Sequence, residues 1–328
     1  MRMIFFKLPG KKRNARNSPK AHEMRESGVT IVELMITLMI TIGLVSAVGK
    51  LYFGSQASYR LNEAQFRLQH DGRYAMQLME TNLRQAGFGH LTSASVNAAE
   101  VDKTDFVAAD GKAGQGLRGC DDGFAKPLSF GFDCKNGGAG MAAFEVAYRV
   151  ADKFDFDSSA GTDCNGSPAG LIALPKSHPG YTAGRSVAIA SNRFFVATPS
   201  GRKTTSLYCQ GNSGNGRSVA QPLLNNVENM RMDFGVAPID EFSVQQFLTA
   251  TQVDGLSTDQ HRNWKRVVRV KLCLQLHAGK SVFNTPQHYV DCNGGAQIAT
   301  DGKLRAVITS IVTLRNNAAS TLSEGGAL

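Results

Sequence analysis

Hydrophobic side chains are concentrated in one long run near the N-terminus. Residues 29–49 carry a single charge, Glu33, and are otherwise apolar apart from Thr, Gly and Ser. As a helix this run would span roughly 31 Å, which matches the hydrocarbon core of a bilayer. Between Gly54 and Ala86 the apolar residues recur at spacings of three, four and seven, the pattern of an amphipathic helix. The sequence therefore predicts one helix from Val29 to Ala86, apolar first and amphipathic afterwards.

The amphipathic part has one continuous apolar stripe. Charged residues occupy its other faces, and Gly87 and Gly89 are expected to end the helix. A dimeric coiled coil is the alternative, but the stripe is shorter than the sustained heptad repeat of such assemblies. We interpret this part as a spine that packs against a globular region. The stripe comprises Leu61, Ala64, Leu68, Ala75, Met79 or Leu78, and Ala86.

The remainder of the chain has the pattern of a β-rich region. After Thr92, short runs of strand-forming residues alternate with clusters of Gly, Pro, Asn and Ser. Residues 99–140 and 151–185 are predicted to be long loops. One antiparallel sheet packed on the helix gives an α+β fold class with a single globular region. The candidate strands are 143–150, 193–198, 224–234, 267–277 and 304–315.

The net charge of +9 is unevenly distributed. Residues 1–28 contain eight Lys or Arg and two acids, a net of +6, and the remaining residues contribute +3. This distribution gives only weak support to nucleic-acid binding by the globular region. Basic residues before an apolar helix favour a cytoplasmic N-terminus and export of the chain beyond the helix. No A-x-A site closes the apolar run, so an ordinary cleaved signal peptide fits poorly.

The junction at residue 28 resembles the type IV prepilin signature. In that family a basic leader ends in Gly, a hydrophobic residue (usually Phe) follows, and Glu stands at the fifth mature position. Gly28, Val29 and Glu33 occupy these positions here. The resemblance implies cleavage by a prepilin peptidase between Gly28 and Val29, followed by N-methylation of Val29. Val in place of Phe and the length of the leader depart from the usual pattern.

Glu33 is predicted to set the register of assembly. A carboxylate inside a membrane helix costs about 2.5–3.5 kcal/mol on insertion scales, and such residues are usually functional. After cleavage, the Val29 ammonium of a neighbouring subunit can pair with it, and an unpaired charge there would be costly. A position near the lipid headgroups, where the cost is small, is the alternative.

Further segments are similar to the PilW-type minor pilins. The run from Tyr59 to Met76 and the sequence Leu83-Arg84-Gln85-Ala86-Gly87 resemble that family's spine, and Val312-Thr313-Leu314-Arg315-Asn316 resembles its C-terminal part. The resemblance is dense over 27–89 and recurs over 223–236 and 266–316. The middle, including 99–185, is expected to be an insertion particular to this chain.

We divide the chain into four regions. These are a basic leader (1–28), a transmembrane or assembly half of the helix (29–53, the apolar segment), its amphipathic half (54–89, the amphipathic segment) and a periplasmic β-rich head (90–328). The resemblance implies the bacterial inner membrane as the location, with the leader in the cytoplasm and the head in the periplasm. The mature chain would then lie in a pilus at the cell surface.

The family resemblance implies a structural, non-enzymatic minor pilin without a cofactor. Such subunits contribute to initiation of the pilus at its tip, twitching motility, adhesion and DNA uptake. The implied partners are other major and minor pilins, the prepilin peptidase, the inner-membrane assembly platform, inner-membrane lipid and a tip adhesin, while nucleic-acid binding stays open. A minor pseudopilin of type II secretion is the alternative. From another class, the alternative is a membrane-tethered periplasmic enzyme or ligand-binding protein.

All six cysteines follow the apolar segment, and none has a C-x-x-C spacing. An even number on the exported side predicts disulfides in an oxidising compartment, with buried free thiols as the alternative. Six cysteines allow many connectivities. We favour pairing of sequence neighbours, which joins Cys120 to Cys134 and Cys273 to Cys292 and leaves Cys164 with Cys209.

Motifs that carry chemistry are few. Asp152, Asp155, Asp157 and Asp163 form an acidic loop that could hold Ca²⁺, but their spacing is not that of an EF-hand, and a solvated loop is the simpler interpretation. The glycine-rich run 114–119 is expected to be a plain loop, since no helix pattern follows it. The seven histidines are scattered, which predicts no metal site.

One basic and aromatic cluster is a candidate for DNA contact. It comprises Trp264-Lys265-Arg266 together with Arg262 and Arg269. Charges that keep a strand edge soluble are the alternative explanation, and we prefer it.

Overall fold

The structure is a computed structural model. It describes residues 28–89, 116–128, 132–138, 140–150, 161–174, 176, 181, 183–184, 186–198, 201, 203–213, 219–238, 241 and 243–317. The chain forms two compact units, Met1–Gln56 and Ala57–Leu328, and each is described by itself. The α+β class is confirmed by a long N-terminal helix and by antiparallel sheets.

The long helix, α1, extends from Ile31 to Gln85. The predicted bounds, Val29 to Ala86, differ from these by one or two residues. Gly87 ends the helix with a φ of 70°, a left-handed conformation that glycine adopts without a steric penalty. Its N–H donates to the carbonyl of Ala147 at 2.9 Å. The end of the helix is therefore bonded to a strand of the head.

The described part of the head contains twelve strands, which form three antiparallel sheets, and two short helices. β1, β2, β4, β5 and β6 lie in that order in a six-stranded sheet, with β3 paired to β4. A four-stranded sheet has the order β12-β9-β7-β8, and β10 and β11 form a hairpin. The strands are β1 Leu117–Cys120, β2 Ala143–Arg149, β3 Gly170–Ala173, β4 Ser186–Ala197, β5 Ser206–Gln210, β6 Gln221–Asn225, β7 Val227–Val236, β8 Gln246–Leu248, β9 Val267–Ser281, β10 Gln287–Val290, β11 Ala296–Ala299 and β12 Lys303–Thr313; the helices are α2 Ala250–Asp254 and α3 Gln260–Lys265.

The prediction of a single sheet was wrong, and Asn226 explains why. The run 224–234 was predicted to be one strand, but Asn226 has a φ of 62° and divides it into β6 and β7. Asn tolerates this left-handed conformation better than most residues. Because the chain turns there, β6 completes the six-stranded sheet and β7 begins the four-stranded one.

Two predicted loops also contain strands. β1 lies within 99–140 and β3 lies within 151–185, and both have only four residues. β1 also includes residues 117–119 of the glycine-rich run, which is therefore not a plain loop. Gly119 is needed there because an added Cβ would lie 2.5 Å from the ring of Phe234.

The amphipathic segment of α1 packs on the inner face of the four-stranded sheet. Leu68, Ala75, Met79 and Leu83 of α1 belong to one hydrophobic core with residues from both large sheets. Gly72 allows the helix backbone to approach, since a Cβ there would lie 2.3 Å from a methyl carbon of Ile308. The predicted packing of this stripe against the head is therefore present from Leu68 onward, while Leu61 and Ala64 are half-buried.

The outer face of the same sheet is covered in one part and open in another. Cys273, Gln275 and His277 of β9 point away from α1 and are nevertheless buried. The β10–β11 hairpin accounts for this, since it is bonded to β9 through Cys273–Cys292, and Arg305 of β12 lies over the ring of Tyr289. Arg269 and Lys271, further along the same face, are exposed.

Candidate functional site

The apolar segment of α1 begins with a side-chain cap. Thr30 precedes the helix, and its Oγ1 accepts a hydrogen bond from the N–H of Glu33 at 3.3 Å. Thr30-Ile31-Val32-Glu33 is the sequence of a capping box, in which Glu at the third helical position is favoured. A negative charge in the first turn also interacts well with the helix dipole, worth typically about 0.3–1 kcal/mol. Glu33 thus has a local role at the helix start, which the sequence reasoning missed although the motif was visible.

The surface around Glu33 is apolar and uncovered within this unit. Large apolar side chains are exposed all along the segment, from Val29 at 68% to Phe53 at 70%. Such a surface is far more apolar than soluble proteins leave in contact with water, which indicates that a membrane or other subunits cover it. Of the described helices, only α1 is long and apolar enough to cross a membrane.

Gly28 and Val29 lie immediately before the helix. Neither residue belongs to a regular element, and both are exposed. Exposed, non-helical backbone is what a peptidase needs at its cleavage point. The leader, 1–27, lies outside the described residues. Cleavage and methylation at this bond remain predictions.

The other half of α1 carries a buried polar group. Asn82 Oδ1 accepts hydrogen bonds from the Tyr148 hydroxyl at 3.1 Å and from Asn192 Nδ2 at 2.6 Å. Its own Nδ2 donates to the carbonyl of Leu78. Burial raises the pKa of Tyr148, which therefore stays a neutral donor. This network fixes the helix to β2 and β4 at a defined register.

Three disulfides staple the head. Cys120 is bonded to Cys134, Cys164 to Cys209, and Cys273 to Cys292. This is the pairing that the sequence analysis favoured. The first closes the segment after β1, the second joins the turn before β3 to β5, and the third holds the β10–β11 hairpin on β9. No cysteine in the described part of the chain is free.

The acidic loop can be assessed at one of its four positions. Asp152, Asp155 and Asp157 lie outside the described residues. Asp163 is buried, and its Oδ1 accepts hydrogen bonds from the backbone N–H groups of Asn165 and Ser167. Its oxygen therefore stabilises a turn, and Gly211 leaves room for the carboxylate. The described residues contain no group of three metal-ligating side chains, and calcium binding remains untested.

Trp264, the aromatic member of the basic and aromatic cluster, is not available for DNA contact. Trp264 is only 2% exposed, packs edge-on against Phe234, and donates its indole N–H to Asp254 at 2.7 Å. A buried ring cannot stack on a base. The preferred explanation was also wrong in detail, because Trp264 and Lys265 lie on α3 and not at a strand edge. Arg266 donates to the carbonyl of Ala237 and so helps fix α3.

One groove of about 680 Å³ lies between the first turns of the amphipathic segment and the end of β9. Among the residues that line it, one ion pair is formed. Glu63 and Arg67 are paired at 2.6 Å, and Nδ1 of His277 lies 2.8 Å from the carbonyl oxygen of Ala278. The groove therefore gives no positive support to the alternative of a periplasmic enzyme.

The carboxyl groups whose pKa values are lowered lie outside this groove, and their hydrogen bonds stabilise turns and a neighbouring arginine. Backbone N–H groups of Gly138 and Gly140 lower the pKa of Asp122. Hydrogen bonds from Arg305 lower that of Asp301, which together with Glu228 fixes the Arg305 side chain beside the hairpin.

The chain is thus an α+β protein with an uncovered apolar helix segment and a disulfide-stapled β head. Residues 193–316 match the family described as PilW, type IV pilus-assembly protein W. The predicted resemblance to PilW-type minor pilins of the type IV pilus is confirmed by this match, which supports a component of that pilus. The matched range takes in the four-stranded sheet and the hairpin, and with them the predicted similar segments 223–236 and 266–316. It begins within β4, so residues 1–192, including segment 27–89, lie outside it.

Other comparisons add little to the family match. The similar solved structures include a type IV-like pilin from Thermus thermophilus, with 13% identity, a TM-score of 0.37, and coverage of 76% of this chain and 98% of that one. No curated protein matches this chain.

Proposed function

We propose that this chain is a minor pilin that is cleaved between Gly28 and Val29 and enters the type IV pilus through its apolar segment. The observation that carries the proposal is the exposed apolar helix, with Glu33 as its single carboxylate, in a chain whose C-terminal part matches a pilus-assembly family. The apolar helix has a surface that a membrane or other subunits must cover. The Glu33 carboxylate would favour one axial position of this helix relative to neighbouring subunits.

The chemistry at the helix start follows from the cleavage. Hydrolysis of the bond after Gly28 releases the leader and leaves an ammonium group on Val29. Methylation of that nitrogen keeps its positive charge. In apolar surroundings the ammonium needs an anionic partner, and Glu33 of a neighbouring subunit offers one, because burying either charge alone costs several kcal/mol.

In this proposal the head lies in the periplasm before assembly. Three disulfides suit an oxidising compartment of that kind. The chain would then help to initiate the fibre near its tip and so contribute to twitching motility, adhesion or DNA uptake. Other pilins, the prepilin peptidase and the assembly platform would be its partners.

Substitution of Glu33 tests the proposal. Glu33→Ala should leave membrane insertion and cleavage intact but prevent incorporation into pili, because an unpaired buried ammonium costs about 3–5 kcal/mol. Glu33→Gln should be nearly as harmful, and Glu33→Asp intermediate. The measurements are recovery of the protein in sheared pili and pili per cell, at equal membrane levels.

Thr30→Ala is the matched control, because it removes the cap but keeps the charge. It should cost about 1 kcal/mol of local helix stability and leave incorporation near wild type. If Thr30→Ala and Glu33→Ala reduce incorporation equally, Glu33 acts as a helix cap and the register role is refuted.

Processing and pathway need two further measurements. Mass spectrometry of the membrane-extracted protein should find N-methylated Val29 at the N-terminus, and an intact leader in cells with active peptidase would refute the proposal. A deletion strain should lose surface pili and keep its secreted enzymes. The opposite result would identify a minor pseudopilin of type II secretion.

A further inference from the structure

β12 is a long free edge of the four-stranded sheet. It has 11 residues and pairs with β9 on one side only. Within the described part of the chain, its other side forms no backbone ladder. A free edge presents N–H and C=O groups to which another chain can bond.

Most of this edge lacks the usual protection. Natural edge strands are shortened, charged, bulged or interrupted by proline. In β12, Lys303 and Arg305 and the only register shift are confined to its start, and Arg305 is already engaged by Glu228 and Asp301. Residues 306–313 contain no charge, proline or glycine, and they pair with β9 in unbroken register. Six of these eight are β-branched, which favours extended backbone.

The outer face beside this edge is cationic. Ile311, 57% exposed, is the cross-strand neighbour of Lys271, and Thr313 is the neighbour of Arg269. Lys271 and Arg269 are exposed, and among the described residues neither has an ion-pair partner. The acid next to Lys271 on β7, Asp233, is bonded to Arg231 instead.

We propose that residues 306–313 of β12 bind, by strand addition, an extended segment of a partner protein whose outward-facing side chains are acidic. Main-chain bonds would give the affinity, and alternate side chains the selectivity. The added strand would lie two strand spacings, about 9–10 Å, from β9. At that distance its Glu side chains and the cations of β9 can meet over the Ile311 row.

A second copy of this chain suits the edge less well. It would offer an uncharged strand flanked by the same two cations, which adds positive charge where negative charge is missing. The proposal goes beyond the pilus function, because the edge would bind such a segment in the purified protein whether or not the chain enters a fibre.

Binding of model peptides to the full chain in non-ionic detergent tests the proposal. The probe is a labelled eight-residue peptide of alternating Glu and Val, capped at both ends, and its comparator alternates Lys and Val. Fluorescence polarisation should show at least tenfold tighter binding of the Glu peptide. Amide hydrogen exchange of residues 306–313 should slow at least tenfold when it binds, since half of these amides gain partners.

Two pairs of variants separate edge binding from general attraction. Lys271→Glu should reverse the preference between the peptides, whereas Lys280→Glu, exposed on the same strand beyond this face, should not. Ile311→Glu should weaken binding of the Glu peptide, because it repels the Glu row that faces it, whereas Ile298→Glu, similarly exposed on β11, should leave that binding unchanged.

Three results would overturn the proposal. The first is that both peptides bind with equal affinity or that neither peptide binds. The second is an equal effect of Lys271→Glu and Lys280→Glu, which would reduce the attraction to net charge. The third is protection of residues 306–313 from amide hydrogen exchange that appears without peptide and increases with protein concentration. That result would show that a second copy of this chain binds the edge.

Discussion

The two halves of α1 differ in where their apolar side chains go. The apolar segment buries none of its large hydrophobic residues within its own unit, whereas the amphipathic segment buries a row that includes Met79 and Leu83. The more hydrophobic half is therefore the one without a partner in its own unit. The hydrophobicity of a helix indicates how much apolar surface must be kept from water. The spacing of its apolar residues indicates whether that surface lies on one face, which the same chain can bury, or on all faces.

Truncation of one leucine in each half should show the largest contrast. Leu83 is fully buried, so Leu83→Ala should lower the free energy of unfolding of the head by about 2–5 kcal/mol. Leu38 is 52% exposed, and Leu38→Ala should leave that stability unchanged. Denaturant unfolding of the full chain in detergent, followed by near-UV circular dichroism, measures both. Equal losses would mean that the apolar segment also contributes to the core.

The polar group on the buried face should show a smaller effect. Asn82→Ala leaves the buried Tyr148 hydroxyl without its acceptor, which should cost about 1–3 kcal/mol. Thr81→Ala, one position away on the exposed face, is the control and should change stability by less than about 0.5 kcal/mol. The same unfolding measurement applies, and an Asn82→Ala protein as stable as the control would show that the network is dispensable.

The smallest effect concerns pH and should be confined to the head. Arg305 holds the pKa of Asp301 well below its usual range. The contribution of this ion pair to the free energy of unfolding is therefore complete above the ordinary aspartate pKa of about 3.9 and is lost as the pH falls below it. Because Asp301 is partly exposed, the pair should contribute less than about 1 kcal/mol.

Asp301→Asn is the direct test of this pH dependence. The difference in unfolding midpoint between wild type and Asp301→Asn should be present at pH 6 and shrink between pH 4 and pH 2. A difference that stays constant across this range would contradict the assignment.

The elements that could be predicted are those with long, regular patterns. α1, β2, β9 and β12 carry their periodicity over seven or more residues, and their positions were confirmed within a few residues. β1, β3, β10 and β11 have four residues each, too few for a period to emerge. The division into two large sheets depends on one φ angle at Asn226, which the surrounding apolar run concealed.

The two parts of the candidate site differ in how much the sequence can say about them. Gly28, Val29 and Glu33 lie within six residues of one another, so their relation is visible without the fold, and their roles stay predictions. Burial of Trp264 depends on Asp254 and Phe234, which only the folded chain brings together. The uncharged edge of β12 was visible as a strand, but its status as an edge required the strand order.

The Cys164–Cys209 bond has a mechanical consequence for a protein in a fibre under tension. The two cysteines are 45 residues apart, and the bond encloses β3 and β4. Chain inside a closed covalent loop cannot be drawn out when the ends are pulled. At roughly 3.4 Å per extended residue, this one bond withholds about 150 Å of length that a reduced chain would release. A head that carries load in the proposed pilus would therefore extend by about 150 Å less than its reduced form.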